Sequence, residues 1–243
     1  MIFDSLSSRI QFKFKDRVAA ADILGESLKD RIKSKEEQKA SIVLGIPRAG
    51  VITADIIAKR LSTSFFDIVI PRKLTHPNNK ELAVGGIMED GTLYNNEQLI
   101  NDFQISSEYL EKEKLEQIKE IERRKALYRK EPRKDFSSFL EDKTVILVDD
   151  GAATGATIIA AARWIRRLEN TPKRLIIALP VAPKCTVNLL KRECNAEVDV
   201  ILSPSSSTFH SVEQYHQNFQ PITDHHVVRI IKDRSLLPPY PTS

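Results

Sequence analysis

The sequence predicts an α/β protein with a doubly wound, five-stranded parallel sheet. Short apolar runs rich in β-branched residues occur five times along the chain, as in strands that are buried on both faces of a parallel sheet. Three of these runs are followed by a segment with helical spacing, which is the order of βα units. The runs begin at Ser41, Phe65, Thr144, Lys173 and Val198.

A helix is predicted before the first strand. Apolar residues after Lys15 recur at steps of three and four, which is the spacing of one face of an amphipathic helix. This face comprises Val18, Ala21, Leu24, Leu28 and Ile32. The charged run at residues 33–39 predicts a solvated loop. The first strand, at residues 41–46, then leads through a glycine-containing turn into a helix at residues 51–61.

Residues 74–135 predict an insertion between the second and third parallel strands. The second strand, residues 65–71, is predicted to be an inner strand of the sheet. It ends in two cations, Arg72 and Lys73. Residues 75–79 predict an irregular, mobile loop, and Asp90-Gly91 is a strong signal for a hairpin turn. Charges of both signs crowd residues 106–130, which predicts a long exposed helix capped by Ser106 or Ser107. We expect it to cover the site or form a dimer surface, although a solvated helix without function fits the same pattern.

The motif at residues 144–157 predicts both a strand-loop-helix element and a binding site. It reads Thr-Val-Ile-Leu-Val-Asp-Asp-Gly-Ala-Ala-Thr-Gly-Ala-Thr, a buried strand ended by Asp149 and Asp150, then a loop of small residues and an alanine-rich helix. Unpaired amides and the helix dipole at such a loop bind phosphate, and Thr154 and Thr157 can add hydroxyls. Two carboxylates beside a phosphate site, at the carboxyl end of a strand, suit a phosphorylated sugar whose hydroxyls need acceptors.

Length and composition limit the class of protein. The 243 residues suit one large α/β domain, which we expect to span residues 1–243, and the hydrophobic fraction of 41% excludes a disordered chain. A net charge of +4 suits an anionic ligand but falls short of the clustered basic stripe of a nucleic-acid binder. No apolar run approaches the ~18 residues of a membrane span, and no secretory segment opens the chain. We therefore expect a reduced cytoplasmic setting, with Cys185 and Cys194 buried as small apolar side chains.

The 144–157 motif resembles the signature of the type I phosphoribosyltransferases, which use 5-phosphoribosyl-1-pyrophosphate (PRPP). The resemblance covers about residues 14–219 and includes Phe14-x-Asp16-Arg17, Pro47-Arg48-Ala49-Gly50 and Arg72-Lys73-Leu74. The overall layout is most similar to a group of bacterial and archaeal proteins described only as predicted phosphoribosyltransferases. The resemblance implies the type I phosphoribosyltransferase fold, a flexible loop that closes over the reaction, and a C-terminal hood and tail at residues 203–243 that bind the acceptor.

The resemblance also implies a role for each matched residue. Asp149 and Asp150 hold the ribose hydroxyls, and these two residues with Lys73 are the expected catalytic groups. The expected PRPP-binding residues are Arg48, Ala49, Gly50, Arg72, Lys73, Asp149, Asp150, Gly151, Ala152, Ala153, Thr154, Gly155 and Thr157. Mg²⁺ is expected to be bound mainly through PRPP, with no metal site made by the protein itself. From the residues alone, the less favoured alternatives are an ordinary surface arginine in a βα turn for Arg48 and surface cations at a strand end for Arg72 and Lys73.

The function that the resemblance implies is transfer of the 5-phosphoribosyl group from PRPP to a nitrogen acceptor, a nucleobase or an amine, with release of pyrophosphate. A homodimer without membrane or nucleic-acid partners is expected. Ala153 stands where 6-oxopurine transferases carry a carboxylate, which disfavours hypoxanthine and guanine as acceptors.

Two alternatives are a PRPP-sensing regulator of the same fold that binds RNA or DNA, and a hydrolase or phosphorylase of phosphorylated ribose. The regulator is disfavoured because the helix at residues 106–130 supplies little net charge.

The C-terminal region contains most of the histidines and several aromatic residues. A zinc site among His210, His216, His225 and His226, with Glu213 and Asp224, is an alternative that no recognised ligand motif supports. Phe209, Tyr215 and Phe219 could stack on a planar base, and core packing of the same rings fits equally well. Residues 1–10 predict a surface arm. The proline-rich residues 236–241 predict neither a helix nor a central strand.

Overall fold

Five parallel strands form the central sheet of the protein, in the order β2-β1-β6-β7-β8. The computed structural model describes residues 13–63, 65–129 and 137–235. The strands are β1 (Ile42–Gly45), β2 (Phe65–Ile68), β3 (Arg72–His76), β4 (Asn79–Ile87), β5 (Leu93–Asn95), β6 (Thr144–Val148), β7 (Arg174–Val181) and β8 (Glu197–Leu202). The helices are α1 (Arg17–Arg31), α2 (Lys35–Ala40), α3 (Gly50–Arg60), α4 (Glu97–Asp102), α5 (Ser107–Tyr128), α6 (Ala156–Arg167), α7 (Lys184–Glu193) and α8 (Asp224–Ser235). The predicted fold class and its five parallel strands are confirmed.

Strand β6 lies at the centre of this sheet, and all five of its residues are buried. It pairs in parallel with β1 on one side and with β7 on the other. One apolar cluster, with residues from α1 and α3, covers one face, and a second cluster, with residues from α6 and α7, covers the other. This two-sided burial explains why the strand sequence is continuously apolar rather than alternating.

The insertion contains a second sheet, which is antiparallel and has the order β3-β4-β5. The predicted turn at Asp90-Gly91 is present: Gly91 has a φ of 84°, and the amide of Thr92 donates to Asp90 Oδ1 at 2.8 Å. The predicted irregular loop at residues 75–79 was wrong, because most of these residues belong to β3 and β4. The hydroxyl of Tyr109 donates to the carbonyl of Thr75 at 2.9 Å and helps to hold β3 against α5.

The long helix α5 is confirmed, with Ser106 as its N-cap, but it is only partly exposed. Glu113 is buried and accepts bonds from the amide and the hydroxyl of Thr75, at 3.3 and 2.9 Å. Leu115 and Leu127, two of its predicted apolar positions, remain exposed. The buried face of the helix, which has both polar and apolar side chains, therefore holds the antiparallel sheet against the rest of the protein.

Three further expectations need correction. Val18 is 50% exposed rather than buried, because the buried face of α1 runs through Ala20, Ala21, Leu24 and Leu28. Residues 35–40 form the short helix α2, whose first turn is capped by Ser34. Strand β2 is an edge strand of the parallel sheet rather than an inner one, and Arg72 and Lys73 open β3.

The C-terminal region returns to the body of the protein. Residues 203–223 are irregular apart from a short 3-10 turn at Glu213–Tyr215, and α8 then packs against α3 and α5. Arg234 of α8 pairs with Asp55 of α3 at 2.6 Å. The predicted N-terminal arm and the proline-rich tail lie outside the described residues. None of the helices within the described ranges combines the length and apolarity that crossing a membrane requires.

Candidate active site

The turn after β1 and the acidic pair after β6 lie side by side. The two strands run in register, with Gly45 opposite Val148, and the amide of Ile46 donates to the carbonyl of Val148 at 2.9 Å. A Cβ atom placed on Gly50 would lie 2.8 Å from both the Cα and Oδ1 of Asp149. The predicted pyrophosphate loop, residues 47–50, therefore packs directly against the predicted ribose site.

Asp149 and Asp150 form an adjacent acidic pair at the end of β6. The amide of Asp150 donates to Asp149 Oδ1 at 2.8 Å, which fixes the orientation of that carboxyl. Burial of Asp149 and the neighbouring charge of Asp150 raise the pKa of Asp149 well above its ordinary value. The charged form of the buried Asp149 carboxyl is therefore disfavoured.

Arg17, which the sequence analysis did not assign to the site, neutralises part of this acidic charge. Its Nε lies 2.7 Å from Asp150 Oδ2, and its Nη1 donates to the carbonyl of Gln220 at 2.6 Å. Its guanidinium carbon lies 3.6 Å from the ring centroid of Phe219. The Phe-x-Asp-Arg sequence at residues 14–17 was part of the resemblance, but only the fold reveals that Arg17 contacts Asp150.

The loop between β6 and α6 presents unpaired amides. Gly155 has a φ of 74°, a left-handed conformation that glycine adopts without strain, and α6 begins at the next residue. Within the described part of the chain, no protein acceptor receives the amides of Ala153, Thr154 or Gly155. The amide of Ala152 instead donates to the carbonyl of Val181 at 3.0 Å. Three amides at a helix N-terminus are therefore available for a phosphate.

Thr186 of α7 supports this loop from behind. It is buried, and its hydroxyl donates a short hydrogen bond to the carbonyl of Ala153. Because the Ala153 carbonyl is held from one side, the amides that follow it are fixed in direction before any ligand binds.

We expect Thr186→Val to weaken phosphate binding without unfolding the protein. Valine preserves the shape of the side chain but leaves the Ala153 carbonyl without its donor, and a lost hydrogen bond of this kind costs about threefold to tenfold in affinity. Titration of ribose 5-phosphate, with Thr186→Ser as the matched control that keeps the hydroxyl, measures the effect. Equal affinities for the valine and serine variants would contradict this role.

Arg72 lies within range of the charges of two other arginines. Burial of Arg72 and the charges of Arg124 and Arg48 lower the pKa of Arg72. Gln117 of α5 accepts from Arg72 Nε at 2.9 Å, and Glu120 accepts from Arg124 Nε at 2.8 Å. Helix α5 thus places Arg124 within range of Arg72, which sequence spacing alone could not show.

Lys73 is less closely connected to the predicted site. Its ammonium lies 3.6 Å from Glu81 Oε2 on the neighbouring strand, and the Glu81 side chain is 93% exposed. An exposed pair of this kind holds its partners weakly. The catalytic and PRPP-binding roles of Lys73 therefore stay predictions.

Some aromatic residues of the region after β8 pack in the core, and others lie beside the candidate site. Phe209 stacks on Tyr215 with ring centroids 5.7 Å apart, and Tyr215 is buried against Phe14 and Val181. His216 lies between Phe14 and Phe219, and burial lowers its pKa. Across the described residues, no group of three or more His, Cys, Asp or Glu side chains could hold a metal ion.

Comparison with known proteins supports the interpretation of these features. A family model described as the phosphoribosyl transferase domain matches residues 13–220. The chain belongs to this phosphoribosyl transferase family. Its five-stranded parallel sheet is the type I phosphoribosyltransferase fold, and the PRPP-binding roles of the individual residues stay predictions.

Several relatives of this family member can be compared over most of the chain. Two Mycobacterium tuberculosis proteins, from strains CDC 1551 and H37Rv, are named as unconfirmed phosphoribosyl transferases and are 31% identical over 193 residues. The alignment covers 79% of this chain but 42% of each relative, so the chain spans about two fifths of their length. The crystal structure of TT1426 from Thermus thermophilus has a TM-score of 0.69 and 33% identity, covering 91% of this chain and 99% of that one.

A cavity of about 780 Å³ lies beside the loop between β6 and α6 of this family member, away from the acidic pair. Ala153 and Thr154 line one side, and residues of α6, α7 and β5 line the others. Cys185 also lines it and is exposed, contrary to the prediction, because the buried face of α7 runs through Thr186 and Leu190. Cys194 is buried as predicted, and burial raises the pKa of its thiol to about 12.

Proposed function

We propose that this protein is a phosphoribosyltransferase that transfers the 5-phosphoribosyl group from PRPP to a nitrogen acceptor and releases pyrophosphate. The observation that carries the proposal is the arrangement around Asp149 and Asp150. Unpaired amides for a 5′-phosphate follow the pair, and the turn containing Arg48 packs against it. PRPP has the same order of groups, with a phosphate, two ribose hydroxyls and a diphosphate.

The reaction requires charge stabilisation at two places. Loss of pyrophosphate from the anomeric carbon builds positive charge on the ribose and negative charge on the leaving oxygens. The acidic pair supplies acceptors and negative charge beside the ribose. The guanidinium groups of Arg48, Arg72 and Arg124 supply positive charge for the diphosphate, where planar guanidinium groups can bind two oxygens at once. No covalent nucleophile from the protein is needed.

Mg²⁺ fits this site as an ion that is bound by the substrate. The described residues offer no group of three or more ligands that would hold the ion without PRPP. Oxygen donors are what Mg²⁺ prefers, and the ion commonly keeps waters and binds through substrate phosphates. When bound, it would supply further neutralisation of the leaving diphosphate. The protein's own contribution is to hold the ribose and the 5′-phosphate and to present the three guanidinium groups.

We propose a neutral nitrogen nucleophile as the acceptor, without a base at position 153. Ala153 has no side chain that could take a proton from a 6-oxopurine, and its carbonyl is already bonded to Thr186. The acceptor is a nucleobase other than hypoxanthine or guanine, or an amine.

We further propose that the protein acts as a homodimer in the cytoplasm. The exposed Leu115 and Leu127 on α5 support an interface there, and light scattering after size exclusion tests it.

Pyrophosphate release from PRPP and Mg²⁺ with a panel of nucleobases and amines tests the proposed function. We expect release that depends on one acceptor, together with a product of the mass of the corresponding ribonucleotide. Release of ribose 5-phosphate at the same rate without any acceptor would indicate a hydrolase instead. Binding of PRPP without turnover across the panel would favour a PRPP-sensing regulator.

A further inference from the structure

Arg17 is held from three directions at the edge of the candidate ribose site. Its side chain is 10% exposed, and that of Asp150 is 16% exposed. One nitrogen pairs with Asp150, another donates to the Gln220 carbonyl, and the ring of Phe219 covers the guanidinium face. The pair joins residues that are 133 positions apart in the chain. These contacts leave the guanidinium little freedom to turn towards a ligand.

The position of Arg17 matters because it faces a pair of acids rather than a single one. Asp149 and Asp150 carry up to two negative charges. Burial and the charge of Asp150 raise the pKa of Asp149, whereas the charge of Arg17 lowers it. Removing this cation would therefore leave the pair holding a proton at a higher pH than in the wild type.

Two other titratable groups near the pair, Asp16 and His216, do not replace this positive charge. Asp16, on the same helix, is acidic and caps α1 by accepting from the amide of Ala19 at 2.9 Å. His216, from the segment after β8, lies within the field of Asp150 and Arg17, but burial lowers its pKa. A histidine with a lowered pKa is neutral near pH 7. Its Nδ1 lies 3.1 Å from the carbonyl of Val212 rather than against the carboxylates.

We propose, on the basis of the function proposed above, that Arg17 is a positioning residue for the ribose site. It holds the Asp150 carboxylate in one orientation, balances the charge of the acidic pair, and connects that pair to the segment of Phe219 and Gln220. A ribose hydroxyl then meets an acceptor whose direction is already fixed, so less ordering is needed on binding. Arg17 acts through Asp150 and does not contact the reacting atoms.

The matched control is Arg31, which lies on the same helix. Arg31 also forms ion pairs across the sheet edge, with Glu197 at 3.4 Å and Asp199 at 3.3 Å. It lies away from the acidic pair. Arg31→Gln therefore removes the same charge and a comparable number of ion pairs from α1 without changing the environment of Asp149.

The test is calorimetric titration of PRPP with Mg²⁺ into the wild type, Arg17→Gln, Arg17→Lys and Arg31→Gln between pH 5.5 and 8.5. We expect Arg17→Gln to weaken binding about tenfold or more at pH 7, because a buried charge-assisted hydrogen bond is lost. The pH at which binding falls by half should move upward in this variant. Arg17→Lys should recover part of the affinity and most of the pH profile, and Arg31→Gln should match the wild type.

A second measurement does not require PRPP. The ¹³C signal of the Asp149 carboxyl, followed against pH in folded wild type and Arg17→Gln, should titrate at a higher pH in the variant. If Arg17→Gln does not fold, Arg17→Met, which keeps much of the length of the side chain but removes its charge, is compared in its place. Unchanged affinity, pH profile and carboxyl titration in a folded Arg17→Gln would overturn the role of Arg17. A wild type that does not bind PRPP would instead overturn the proposed function, while the carboxyl titration would still decide whether Arg17 acts on the acidic pair.

Discussion

Replacing both acidic residues, Asp149→Asn with Asp150→Asn, should reduce kcat/KM for PRPP by about a thousandfold or more, because each lost charged interaction at a reacting centre costs on the order of tenfold to a hundredfold or more. Asparagine keeps the size of each side chain. It removes the negative charge that faces the ribose and places an amide donor where an acceptor is needed.

The single Asp149→Asn variant should show a pH-dependent cost. Because the pKa of Asp149 is raised, the wild-type carboxyl is protonated and neutral at low pH, where asparagine replaces it with little change. As the pH rises through that raised pKa, the wild type gains a charge and the variant does not, so the difference in activity should grow.

Pyrophosphate release measured from pH 5.5 to 8.5 checks both expectations. Asp22→Asn is the matched control, since Asp22 lies on α1 and forms an exposed pair with Arg60 at 2.8 Å. A double variant that keeps wild-type activity would show that the acidic pair does not serve the reaction. A constant difference between Asp149→Asn and the wild type at all pH values would contradict the raised pKa as its cause.

Gly50→Ala should strongly weaken PRPP binding while leaving the protein folded. The added Cβ would lie 2.8 Å from Asp149 Oδ1 and 2.9 Å from the Val148 carbonyl, distances that real Cβ atoms do not show. The turn or the carboxyl must therefore move. Alanine itself is favourable in a helix, and Gly50 opens α3, so the change in helix propensity does not oppose folding. We expect PRPP affinity to fall about a hundredfold, since displacements of ~1 Å in a positioned site cost this much.

Gly91→Ala provides the contrasting control. Gly91 has a φ of 84°, but no atom lies within 4 Å of the Cβ that alanine would add. Its substitution should lower the free energy of unfolding by about 1 kcal/mol through backbone strain and leave PRPP affinity unchanged. Thermal unfolding together with PRPP titration separates the two variants. Gly50→Ala with wild-type affinity would contradict the close packing of the turn on the acidic pair.

The sequence was sufficient to predict the parallel sheet and the loop of small residues between β6 and α6, because both are encoded locally. Strand β6 is buried on both faces and so is continuously apolar. Its acidic pair, small loop and helix follow within fourteen residues of Thr144. The turn before Gly50 could be placed beside the pair because parallel strands end at the same edge of a sheet.

The contacts that cross long stretches of chain could not be predicted. Arg17 and Asp150 are 133 positions apart, and neither position signals the other. Arg124 comes near Arg72 only because α5 packs against β3, which its scattered charges did not indicate. The strands at residues 75–79 were missed for a similar reason, since Glu113 and Tyr109 of α5 hold a segment whose own composition favours a loop.

Direct titration of PRPP with Mg²⁺ into the wild-type protein tests most directly whether the acidic pair and its two flanking loops form a PRPP site. We predict one molecule bound per chain, with competition by ribose 5-phosphate and by pyrophosphate, and loss of binding in the double Asp149→Asn and Asp150→Asn variant. The absence of binding to the wild type, or binding that the double variant retains unchanged, would contradict the proposed site.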